Sequence, residues 1–69
     1  MYPNLRAEMA RKRVTMTELA EHLHITISTL SLKMSGKSDF TLKEAIAIRS
    51  FLGVEMDLRE LFREELKAV

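Results

Sequence analysis

Along the chain, apolar residues recur three and four positions apart, and no run alternates with polar ones over five positions. That spacing is the period of a helix, not of a strand. It predicts five short helices. The first runs from about Leu5 to Lys12, capped by Asn4, with Leu5 and Met9 one turn apart and facing inward. The second spans about Met16 to Leu23 and buries Leu19, Ala20 and Leu23. The third begins after Thr26 and reaches about Ser35, with Ile27, Leu30 and Met34 inward and Gly36 as its stop. The fourth runs from Leu42 to Leu52, with Ala45, Ile46, Ile48 and Leu52 inward and Gly53 closing it. The fifth starts at Leu58 and lays Leu58, Leu61, Phe62 and Leu66 along one stripe.

Three helix starts carry a signal of their own. Thr15 precedes Glu18, Thr41 precedes Glu44, and Asp57 precedes Glu60 by three residues. A side-chain acceptor and an acid at that spacing satisfy the orphan N–H groups of a helix start reciprocally. Val14 with Leu19, and Phe40 with Ala45, flank the first two as apolar staples. These signals place helices and carry no chemistry.

The fold class is therefore all-α, one compact five-helix domain over residues 1–69. A chain of 69 residues buries only about 60% of its unfolded surface, which allows one modest core and excludes a two-domain cofactor enzyme. There are no cysteines, so disulfides and thiolate–zinc sites are excluded. His22 and His24 stand two apart and cannot share a helix face, so no metal site is expected. No Gly-rich phosphate loop or nucleophile elbow is present, and no catalytic residue, enzyme activity or cofactor is expected. The five methionines read as core filler. No apolar run approaches the roughly 18 residues of a membrane span, and the start lacks a signal-peptide core. A cytoplasmic location is expected, without a membrane or small-molecule partner.

The net charge of +1 conceals a division. Residues 1–50 carry eight Lys/Arg against five Asp/Glu, while residues 51–69 carry three against five. From Ile27 to Lys37 there are two lysines, Lys33 and Lys37, and no acid. One surface is thus open to an anion.

The most informative stretch is Met16 to Ser35. Its two helices are separated by His24-Ile25-Thr26, too tight a connection for an antiparallel hairpin and suited to a helix-turn-helix over about 16–35. Ala20 is small where the two helices cross, Ile25 plugs the turn into the core, and Leu30 anchors the third helix from beneath. Ser28, Ser31, Leu32 and Ser35 are left on the outer face, short enough for close approach to base-pair edges.

The run from Thr15 to Ser31, with Ser35-Gly36-Lys37, Thr41-Leu42 and Leu52-Gly53-Val54, resembles the Xre-type, lambda-repressor-like helix-turn-helix family over roughly residues 4–62. The resemblance implies a five-helix domain that binds double-stranded DNA, usually as a dimer. It puts Thr26, Ile27, Ser28, Ser31 and Leu32 at base-reading positions, with Ile27 equally suited to the core and Leu32 to a thymine methyl. It makes Thr15, Thr17, Lys33, Ser35, Lys37 and Thr41 the phosphate set, through lysine charge and the N–H groups of capped helix starts.

Five departures from the family pattern stand out. Met16 replaces a common Gln that touches phosphate, and His24 replaces a common turn Gly. Met9 and Met34 occupy both ends of a frequent Arg–Glu pair, a swap that avoids burying two charges. Lys33 replaces an apolar residue, and its stem is expected to pack while the ammonium snorkels out. Arg11, Lys12 and Arg13 read as a solvated helix end, and the loop before the fifth helix is longer than usual by about two residues.

The function expected from all this is a sequence-specific transcription regulator, a phage or prophage repressor that acts by occupying its operator as a homodimer. Leu58, Leu61 and Phe62 are expected to pack on the fourth helix, with Leu66 and Val69 extending the same apolar edge, and the resemblance implies a twofold contact around the fourth and fifth helices. The alternative is a protein-binding adaptor or anti-repressor that keeps the fold without strong DNA affinity.

Overall fold

The computed structural model describes residues 2–64. Within them the chain forms α1 (Pro3–Lys12), α2 (Met16–Leu23), α3 (Ile27–Met34), α4 (Leu42–Leu52) and a single turn, α5 (Leu58–Leu61), with no strand. Leu66 and Val69, placed on the C-terminal apolar edge, and Met1 lie outside the described residues.

Local chemistry sets most of the boundaries. Thr15 Oγ1 accepts from Glu18 N at 3.1 Å while Glu18 Oε1 accepts from Thr15 N at 3.0 Å. Thr41 and Glu44 repeat the exchange at 3.1 and 2.9 Å, and Asp57 Oδ1 accepts from Glu60 N at 2.8 Å. Gly53 ends α4 in the left-handed region (φ 66°), where a side chain would be strained.

The start of α1 corrects the expected Asn4 cap. Pro3 is the first helical residue, suited to it by a fixed φ and a missing N–H, so the helix begins earlier and Tyr2 takes the cap position. Asn4 lies inside the helix and donates from Nδ2 to the Glu60 carbonyl at 2.7 Å, which ties α1 to α5.

The core gathers Tyr2, Leu5, Met9, Leu19, Ala20, Leu30, Met34, Ile48, Leu52 and Leu61, with Leu23, Ile25, Met16 and Met56 partly buried against it. Met9 and Met34 both lie within it. Tyr2, Phe40 and Phe62 meet edge to face at centroid distances of 5.2–5.9 Å, a preferred aromatic geometry. Burial and the Glu64 carboxylate, which accepts from the Tyr2 hydroxyl at 3.0 Å, push that hydroxyl's pKa up to about 12. Tyr2 therefore remains a neutral donor well above physiological pH.

Two residues expected inside are outside. Ile46 is 52% exposed, because it lies about 100° round the helix from Ala45 and well off the face shared with Ile48 and Leu52. Ile27 is 49% exposed, at the first turn of α3 and on the edge of the stripe led by Leu30 and Met34. The long loop before α5 is fastened by Arg49, which donates from Nε to the Met56 carbonyl at 2.6 Å and from Nη2 to that of Glu55 at 3.3 Å.

Candidate nucleic-acid interface

The connection between α2 and α3 is built from three residues with distinct tasks. His24 closes α2 in the left-handed conformation (φ 58°, ψ 40°), a geometry in which a non-glycine residue carries a modest steric cost. Ile25 donates its N–H to the Ala20 carbonyl at 3.0 Å and turns its side chain toward the core. Thr26 caps α3, its Oγ1 accepting from Thr29 N at 3.1 Å. Ala20 is buried, and α2 packs on both α3 and α4.

Leu30 and Met34 bind α3 to the core and so fix which face it turns outward. On that face Ser28, Ser31 and Ser35 are exposed, with Ile27 at 49% and Leu32 at 48% exposure. The Thr26 hydroxyl is exposed but engaged, since it also donates to Thr29 Oγ1 at 2.9 Å. Ser35 Oγ donates to the Leu32 carbonyl at 3.1 Å. Among the described residues, Ser28 and Ser31 have no side-chain hydrogen-bond partner.

Lys33 departs from the expected snorkelling. Its ammonium is turned inward, donating to Glu44 Oε1 at 2.8 Å and to the Asp39 carbonyl at 3.0 Å, above the ring of Phe40. The pair is largely enclosed, with side-chain exposures of 11% for Lys33 and 19% for Glu44. The physical reason is that the loop after α3 folds back over the helix end. The Leu32 carbonyl accepts from both Lys37 N and Ser38 N, at 3.0 and 3.2 Å. That fold brings an acid and a carbonyl to the lysine, which outweighs its hydration. Burial alone would raise the Glu44 carboxyl's pKa. The hydrogen bond from Lys33, the Thr41 N–H and the lysine's charge outweigh it and hold that pKa below the ordinary carboxylate value.

The remaining cations divide by position. Lys37 is exposed on the loop between α3 and α4, and Lys43 is exposed in the first turn of α4 beside Thr41. Lys43 lies outside the expected phosphate set, although a cation two residues after a cap is visible in the sequence. Thr17 is exposed in the first turn of α2. The hydroxyls of Thr15 and Thr41 are taken up by capping, so the backbone N–H groups of those first turns are the donors left for an anion. Arg11 pairs with the buried Glu8 at 3.1 Å, and Arg13 closes α1 in the left-handed region. His22 stacks on Phe51 at 4.3 Å, a contact across α2 and α4 that the spacing of neither residue announces. Among the described residues no cluster has the makings of a metal site, and no helix is long and apolar enough to cross a membrane.

The family model of the helix-turn-helix matches residues 5–58, most of the chain. No curated protein and no solved structure matches it. The match takes in α1 from Leu5 onward, all of α2 to α4 and the first residue of α5, with the α2–turn–α3 unit inside it. This chain belongs to the Xre, lambda-repressor-like helix-turn-helix family of DNA-binding regulators.

Proposed function

We propose that this protein is a sequence-specific transcription regulator, of phage or prophage type, that represses by occupying a double-stranded operator as a homodimer. The observation that carries the reading is the outer face of α3. It is free of acids, rich in short side chains and held rigidly outward by Leu30 and Met34. Such a face enters a major groove without repulsion from phosphate. Thr26, Ile27, Ser28, Ser31 and Leu32 supply the base contacts. Thr15, Thr17, Ser35, Lys37 and Thr41 supply phosphate contacts, chiefly by charge and by N–H groups of capped helix starts. Lys33 serves the phosphate set indirectly, by fixing the end of α3 against the start of α4.

An apolar strip on α4 supports the homodimer. Leu42 and Ile46 stand one turn apart and both are exposed, and Leu42 lines a shallow pocket with the partly buried Leu58 and Phe62. A twofold contact through one such strip is self-complementary. It would set two recognition helices about one helical turn of DNA apart.

Salt dependence separates operator binding from an adaptor role. DNA binding through several phosphates gives a log–log slope of about −0.9 for each phosphate neutralised, whereas apolar protein docking gives little. Titrating labelled duplex at several salt concentrations measures it. Lys37→Ala is expected to weaken binding to all sequences alike and to reduce the slope by about one. A slope near zero, or an unchanged slope in Lys37→Ala, contradicts the reading of the protein or of that lysine respectively.

A further inference from the structure

We propose that α3 recognises its DNA site through thymine C5-methyl groups, with Ile27 and Leu32 as the two side chains that cover them. The proposal rests on the DNA-binding reading above and specifies what that surface reads.

Bidentate recognition of guanine calls for Arg or Lys, and that of adenine for Asn or Gln. The outward side chains of α3 and its C-cap are Ile27, Ser28, Ser31, Leu32 and Ser35, none of which carries an amide or a guanidinium. The single cation on the helix, Lys33, has its ammonium on Glu44 and the Asp39 carbonyl. With Ser35 bonded to the Leu32 carbonyl, the groups left for bases are two unpartnered hydroxyls and two branched apolar side chains.

Their arrangement is ordered. At about 100° per residue the outer face spans about 140°, with Ile27 and Leu32 at its edges and the serines between them. Along the axis the two apolar residues are separated by about 7.5 Å, about two base-pair steps. A singly exposed leucine needs no explanation. Two large apolar groups framing partnerless serines, on a helix whose other apolar residues Leu30 and Met34 are buried, form a surface built for contact. In the major groove the thymine methyl is the apolar feature of a base pair. Hydroxyls pair with either donors or acceptors, so Ser28 and Ser31 permit close approach while the methyl contacts discriminate.

The test uses a duplex recovered by selection from random sequence. Each thymine in turn is replaced by deoxyuridine, which removes the methyl and leaves the pairing edge intact. Binding is expected to weaken about three- to fivefold, the worth of one buried methyl group, at two positions in each half-site and at no others. Ile27→Ala and Leu32→Ala are each expected to erase the effect at one position while the variant stays folded at the assay temperature, because both side chains are half exposed. A specifically bound site in which no thymine responds overturns the proposal and leaves the regulator reading intact. A response that persists in both alanine variants overturns the assignment to these residues. Recovery of no preferred site defeats the proposal together with the reading it rests on.

Discussion

A Glu44→Ala variant is expected to lose about 3 kcal/mol of stability, read as a lowered denaturation midpoint in urea. Two contacts disappear together. The Thr41 N–H loses its acceptor at 2.9 Å, and the Lys33 ammonium, on a side chain only 11% exposed, loses its carboxylate at 2.8 Å. Removing one partner of an enclosed pair leaves the other desolvated and unpaired, the costly case. Removing both charges is the mild one. A Lys33→Met, Glu44→Gln double variant retains an acceptor for the Thr41 N–H and is expected to lie within about 1 kcal/mol of the parent. If the single and double variants lose equal stability, the pair is not coupled as the structure shows. Acid titration adds an independent check. The folded pKa of Glu44 lies below its ordinary value of 4.5. Its contribution is therefore complete above that value and is lost as pH falls through the folded pKa. The parent is expected to lose more stability below about pH 4.5 than the double variant does.

Leu30 and Leu32 stand two positions apart on α3, and their replacement by alanine is expected to act on different properties. Leu30 is fully buried, and Leu30→Ala is expected to lose about 2–5 kcal/mol through lost burial and the cavity left behind. A domain of this size has only about 3–10 kcal/mol in total, so the variant sits at the threshold of unfolding. DNA binding then fails because the recognition helix has no platform. Leu32, at 48% exposure, is expected to change stability by less than about 0.5 kcal/mol while changing sequence preference. Circular dichroism melts together with duplex titrations of both variants check the contrast. Equal loss of stability in the two would mean that α3 is oriented otherwise.

Much of this architecture is local chemistry, and local chemistry is legible. The Thr15–Glu18 and Thr41–Glu44 caps are decided within four residues, so the sequence locates α2 and α4 to the residue. Ala20, Ile25 and Leu30 likewise follow from the demands of a tight turn between crossing helices. Errors arise where burial depends on distant partners. Ile46 continues an apolar run but lies off the narrow face that α4 buries, and hydropathy alone does not give a face its width. Lys33 meets its carboxylate eleven residues on, through a loop whose return over α3 has no sequence signal. Of the candidate interface, the outward face of α3 is visible from its spacing. The inward turn of its one cation is not, and that turn decides what the face offers a base.

α3 is proposed to read a DNA sequence in a twofold arrangement. The most direct test of this is selection of random-sequence duplexes by the purified protein at two salt concentrations. The expected result is enrichment of a palindrome whose half-sites lie about one helical turn apart, bound more weakly at the higher salt. Recovery of no motif, with weak binding at both salts, would contradict it and turn the search toward a protein partner.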